Sequence, residues 1–231
     1  MFEGALEMFR EIQRVADICL EEVEKCGLNE ESFETSFYNV VEELEYTYNL
    51  QMRHGISKGV LFDENYDFVF KFPFDENFDG YALTYDYCDL EALNYSHAID
   101  NGVEKFFTKT CFFDTLKTSG GVRLPVYIQA RVLPFESLAS TSMTPVMAKQ
   151  YLQEKAESYT GTDRLPPIWI SDFIDIYGEE GFDALGEFLD KFGINDLHGN
   201  NVGYTPDCLP IIFDFSGYDD FSHTTSSNWN Y

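Results

Sequence analysis

Positive charge is scarce in this sequence. It has 15 Lys and Arg against 41 Asp and Glu, a formal net charge of −26, so the chain repels naked nucleic acid and no direct nucleic-acid binding is expected. The acids are spread rather than gathered in a tail, with 13 against 3 bases in the first 50 residues. That pattern suits a soluble acidic surface; the sharper alternative is mimicry of a polyanion toward a DNA-binding protein. No apolar run approaches the ~18 residues needed to span a bilayer, and no membrane partner is expected. The N-terminal MFEGALEMFR has no basic region of the signal-peptide kind. Cys19, Cys26, Cys88, Cys111 and Cys208 are odd in number and show no CxxC or Cys/His spacing. This excludes a disulfide framework and a structural zinc site, and points to reduced thiols in a cytoplasm. Internal repeats are absent.

What is present is a core. Apolar residues make up 44% of the 231, and 17% are aromatic, enough for one good-sized core or two small lobes. Leu6, Phe9, Ile12, Ala16, Cys19 and Val23 recur at three- and four-residue steps, so residues 5–25 read as an amphipathic helix stopped by Gly27. Phe33, Phe37, Val40, Leu44 and Tyr48 form the face of a second helix that ends before Gly55. The period then changes. GVLFD and YDFVFKFPF flank the turn signal DEN and predict a hairpin. DLEALNYSHAIDNG returns to helical period, with Leu90, Leu93 and His97 on one side and Gly102 as its stop. Residues 105–133 read as two more strands around TSGG. From Thr144 onward helices dominate: TPVMAKQYLQEKAESY, PPIWISDFIDIYG and EEGFDALGEFLDKFG, the last with Phe182, Leu185, Phe188, Leu189 and Phe192 on one stripe before Gly193. The order of elements is α+β, with strands before helices. The last nine residues read as a loose tail.

Polar residues cluster near the C-terminus in DLHGNN, residues 196–201, and FDFSG, residues 213–217. A loop with Asp196 and Asn201 five apart, followed by the apolar strand LPIIF that ends in Asp214, converges hard oxygen donors of the kind that suit Mg²⁺ and phosphate. A further Asp there accepts a proton from an attacking hydroxyl or orients it. DLHGNN resembles the D-x-x-x-x-N catalytic loop of the protein-kinase-like superfamily, in the DLHxxN form of its aminoglycoside- and choline-kinase-like branches. FDFSG resembles that family's Asp-Phe-Gly metal segment, with Ser216 in place of Gly. The compact combination is similar to kinase-like proteins of phages and bacteria, which implies the cytoplasm of a bacterium or a phage-infected host.

The resemblance implies a bilobal fold: an antiparallel N-lobe sheet with one helix, a reduced helical C-lobe, and an extra N-terminal helical hairpin. The expected divisions are 1–50, 51–133 and 134–231. It implies Asp196 as the catalytic Asp, and Asn201 and Asp214 as Mg²⁺ ligands. It also requires a strand Lys for the nucleotide phosphates and a helix Glu to hold it; Lys71 in FVFKFPF and Glu91 twenty residues later meet both demands. A glycine turn over the phosphates falls on Gly55 and Gly59 in HGISKG, and the hinge that would contact adenine falls around Gln129 to Val132. Taken singly these residues are weak: a strand Lys is most often a solvated edge, and His198 is most simply a loop-bonding residue. His54, His97 and His223 read as surface or packing residues, Trp169 as core, and Ser216 has no adjacent base to make it a nucleophile.

The expected activity is therefore an ATP–Mg²⁺-dependent phosphotransferase whose acceptor is a protein or a small molecule. The alternative is a non-catalytic kinase-like protein whose acidic surface engages a host or partner protein; nucleotidyl transfer on the same fold is a third. Seventeen residues follow Asp214, too few for an activation segment and peptide-docking helices, so peptide recognition in the usual manner is not expected.

Overall fold

A computed structural model describes residues 2–14, 50–54, 58–73, 87–117, 123–135, 165–195 and 197–216. The fold is α+β, with antiparallel sheets. The chain divides into two compact units, Met1–Leu93 with Lys109–Arg131, and Asn94–Thr108 with Val132–Tyr231. These divisions differ from those expected from sequence: the first helix belongs to the same unit as the sheet, and 94–108 belongs with the C-terminal unit. The second N-terminal helix, the segment from Thr144 to Tyr159 and the tail lie outside the described residues. No helix among the described residues is long and apolar enough to cross a membrane.

The first unit is built on a five-stranded sheet: β1 (Gln51–His54), β2 (Lys58–Phe62), β3 (Phe68–Pro73), β4 (Thr110–Lys117) and β5 (Arg123–Ala130). Their order is β1-β2-β3-β5-β4, and every neighbour is antiparallel. The DEN turn is made as the sequence implies: Asp63 Oδ1 accepts the Asn65 N–H at 2.8 Å, and the Asp63 carbonyl accepts the Tyr66 N–H at 3.1 Å. β1 is absent from the expectation. Among the described residues it is a four-residue edge strand paired with β2 alone, and QMRH carries no apolar alternation to announce it.

Alternation in FVFKFPF sorts the sheet into two faces. Phe68, Phe70 and Phe72 point to one face with Leu61 and Ile128, and are all buried. Helix α1, residues 5–14, lays Ala5, Met8, Phe9 and Ile12 on that face. Phe9 meets the Phe113 ring at 5.4 Å and the Phe70 ring at 6.2 Å, both edge-on. Each buried Phe contributes roughly 2 kcal/mol by area. So the described part of the N-terminal extension covers the sheet.

Gly59 sits in β2 opposite Phe72, and a Cβ built on it would overlap the Phe72 ring. Gly59→Ala is expected to destabilise the chain by about 1–3 kcal/mol, the cost of overfilling a packed core. Urea unfolding measures it. In the Gly59→Ala/Phe72→Leu double variant the combined loss should fall short of the sum of the two single losses, because the smaller side chain vacates the space the methyl needs.

The second unit holds the later half of α2 (Tyr87–Asn101), a 3₁₀ turn (Glu104–Phe106), α3 (Pro167–Tyr177), α4 (Glu179–Phe192) and a three-stranded sheet of β6 (Leu133–Pro134), β7 (Val202–Tyr204) and β8 (Pro210–Ile212). Gly193 stops α4 in the left-handed region, φ 65°, and the Ile194 N–H returns to the Leu189 carbonyl at 2.9 Å. Leu185, Phe188 and Leu189 of the expected stripe are buried, and Phe182 and Phe192 are half-buried against the same core. Trp169 is core, and its Nε1 donates to the Gly203 carbonyl at 3.0 Å. Tyr204 donates to Asp172 Oδ2 at 2.6 Å; burial, reinforced by that hydrogen bond, pushes its phenol well above the ordinary value and keeps it a donor.

Candidate functional site

The face of the first sheet opposite the phenylalanines is polar. Lys58 pairs with Pro73, Val60 with Lys71, Lys71 with Tyr127, and Gln129 with both Val69 and Thr110. Residues paired across antiparallel strands share a face, so Lys58, Lys71, Tyr127, Gln129 and Thr110 lie together on it. The first half of α2 supplies the counter-charges. Lys71 Nζ lies 2.6 Å from Glu91 Oε2, and Lys58 Nζ lies 2.5 Å from Glu91 Oε1. Lys71 also donates to Gln129 Oε1 at 3.4 Å, and Gln129 Nε2 donates to Thr110 Oγ1 at 2.7 Å. Tyr127 donates to Asp89 Oδ1 at 3.1 Å.

This cluster is buried: Lys58 is 7% exposed, Lys71 3% and Glu91 0%. Lysine and glutamate at that depth are rare unless paired. Lys71 is thus no solvated edge residue. The expected face of α2 is corrected by the same contacts. Leu93 is 46% exposed, while Cys88, Glu91, Asn94 and Ala98 are buried. Helix periodicity is present, but the inward stripe is partly polar because Glu91 meets two lysines and Asn94 the Phe215 carbonyl. His97 packs on the Phe192 ring, stacked at 4.6 Å, in keeping with its reading as a packing residue.

In the second unit the loop before β7 and the segment after β8 are joined through the backbone. The Asn201 carbonyl accepts the N–H of Phe213 at 2.9 Å and of Asp214 at 3.3 Å, and the Asn201 N–H donates to the His198 carbonyl at 2.9 Å. His198 Nδ1 accepts the Asn200 N–H at 3.2 Å, the loop-bonding role expected of it. Leu197 and Phe215 are buried on either side of this junction. Asn94 Nδ2 donates to the Phe215 carbonyl at 2.9 Å. Thr108 fixes the end of β8: its N–H and its Oγ1 both donate to the Ile212 carbonyl, at 2.8 and 2.9 Å.

The structure therefore gathers Lys71, Glu91 and Gln129 in one unit, and Asn201 with Asp214 in the other. Gln129 joins the cluster through its side chain. Gly59 is a strand residue under Phe72, and Val132 is half-buried just past the unit boundary. Gly55 and Asp196 lie outside the described residues. Sequence reasoning missed Lys58, Thr110 and Asn94. The register held a signal for Lys58, since it lies two residues before Val60 and so on the Lys71 face once β2 and β3 pair.

As a donor set, Asn201 and Asp214 offer one amide oxygen and one carboxylate. That fits Mg²⁺, which keeps waters and takes few protein ligands; no group of three or more His, Cys, Asp or Glu among the described residues forms a metal cage. Cys111 and Cys208 are free thiols, and burial raises the Cys111 value, keeping it protonated. No family model matches this chain, and no curated protein matches it.

Proposed function

We propose that this chain is a bilobal, protein-kinase-like phosphotransferase that moves the γ-phosphoryl group of ATP to a hydroxyl of a protein or a small molecule. One observation carries this: a strand lysine and a helix glutamate twenty residues apart, Lys71 and Glu91, form a fully buried ion pair. The DLHGNN and DFS segments, tied through the Asn201 carbonyl, support it. Lys71, held by Glu91 and Gln129, binds phosphate oxygens. Asn201 and Asp214 are the residues that would hold Mg²⁺, which when bound offsets phosphate charge. The Asp196 carboxylate orients the acceptor hydroxyl and takes its proton. The acceptor oxygen bonds to the γ-phosphorus as the bond to the β–γ bridging oxygen breaks, and ADP leaves. Catalysis is mainly positioning and electrostatics.

The test is a melting curve of the full chain with ATP, with and without Mg²⁺. A ligand of the folded state at a hundred times its Kd stabilises by about 2.7 kcal/mol, so ATP–Mg²⁺ should raise Tm. Asp214→Asn should lose the increment that Mg²⁺ adds. Asp196→Ala should keep the nucleotide shift and lose transfer from γ-labelled ATP. Label transfer from α-labelled ATP would instead indicate nucleotidyl transfer, and binding without any transfer the non-catalytic partner-binding alternative. No shift at millimolar ATP sinks the proposal.

A further inference from the structure

Glu91 is one carboxylate shared by two ammonium groups. Lys58 approaches Oε1 and Lys71 approaches Oε2, and both lysine side chains are more than nine-tenths buried. Burying an ammonium is costly, and two of them close together repel each other. A buried ion cluster is seldom the most stable filling of its space, since apolar residues of similar size serve folding as well or better. The two lysines also stand on neighbouring strands, β2 and β3, on the same face and diagonal to each other, since Lys58 pairs with Pro73 and Lys71 with Val60. They offer two points of positive charge along a line rather than one.

We infer that Lys58 is a second phosphate-binding cation beside Lys71, and that this polar face takes a polyphosphate chain rather than a single phosphate or carboxylate. The inference rests on the phosphotransferase reading above and adds a ligand-binding residue to it. Lys58 shares Glu91 with Lys71 in the ligand-free protein and meets a second phosphate when the ligand is bound.

Titration calorimetry of the full chain with ATP–Mg²⁺, with inorganic tripolyphosphate and with AMP tests this. Lys58→Gln keeps a donor for Glu91 Oε1 and removes the charge; Lys58→Met removes both. Lys58→Gln is expected to weaken ATP and tripolyphosphate about tenfold or more, the size of one charge-assisted hydrogen bond, with a smaller salt dependence than wild type. AMP should change less than about threefold on the same scale. If Lys58→Met fails to fold, Lys58→Gln alone carries the comparison. Wild-type affinity for ATP and tripolyphosphate in the Lys58 variants, with loss in Lys71→Gln, would overturn the inference and leave the phosphotransferase reading standing. Equal weakening of AMP and ATP would overturn it as well, because Lys58 would then shape the site and not read phosphates. If the wild-type chain binds neither ATP nor tripolyphosphate, the phosphotransferase reading itself fails.

Discussion

Glu91→Ala should destabilise the chain by about 4 kcal/mol, within the range expected when one partner of a buried ion pair is removed. Glu91 is fully buried and its two carboxylate oxygens each hold a lysine. Removal takes from two buried ammonium groups the carboxylate they share, which costs more than losing either lysine. Lys58→Met and Lys71→Met should each cost less, because Glu91 keeps its other lysine. The triple replacement Glu91→Leu/Lys58→Met/Lys71→Met should recover most of the loss, since apolar side chains of similar volume replace buried ions at little or no cost. Urea unfolding measures all four, with the slope checked for constancy so that a midpoint shift reports stability alone. A Glu91→Ala loss under about 1 kcal/mol, the scale of an exposed pair, would mean that the cluster is solvated in solution. The triple variant separates folding from function: it should fold and show no ATP-induced rise in Tm.

Much of the first sheet was legible because its signals are local. FVFKFPF announced a strand that carries Lys71, DEN announced its turn, and Gly102 and Gly193 announced helix ends. The polar side of the same sheet was harder. An inward helix stripe is ordinarily recognised as apolar, and the α2 stripe includes Glu91 and Asn94, so hydrophobicity pointed to Leu93, which faces out. Lys58 was hidden by position, at the first residue of β2 beside a glycine-containing turn signal. Its role emerges only when the β2–β3 register is known, and register is a long-range property. The strand order β3-β5-β4, and the β6-β7-β8 sheet whose strands are two or three residues long, likewise depend on pairings that no short window contains. Within the candidate site, the Asn201 carbonyl's bonds to the Phe213 and Asp214 N–H groups and the Asn94 side-chain bond to the Phe215 carbonyl, 121 residues away, belong to the folded chain and to no short window.

Gly203→Ala is expected to be the second most damaging small change. Gly203 lies in β7 opposite Pro134, and a Cβ built on it would overlap the Leu133 carbonyl oxygen, with the Leu133 carbonyl carbon at 3.0 Å and Pro134 Cα at 3.1 Å. These are backbone atoms of a paired strand, so no side chain can rotate away, unlike the ring that faces Gly59. Relief requires β6 and β7 to separate, or β7 to shift away from the Trp169 Nε1 that its carbonyl accepts. The loss should reach about 3 kcal/mol, the upper end of overpacking costs. The same displacement reaches the site, because Asn201 lies two residues before Gly203 and its carbonyl holds Phe213 and Asp214. Gly203→Ala should therefore lower the midpoint of urea unfolding and, at temperatures where it remains folded, weaken the Mg²⁺-dependent part of the ATP response. Trp169→Phe, which removes the Nε1 donor and leaves the β6–β7 approach untouched, separates the two contributions: it should cost about 1–3 kcal/mol for the carbonyl deprived of its buried partner, with a smaller effect on the ATP response. Equal stability of Gly203→Ala and wild type would show that β6 does not stay paired with β7 in solution.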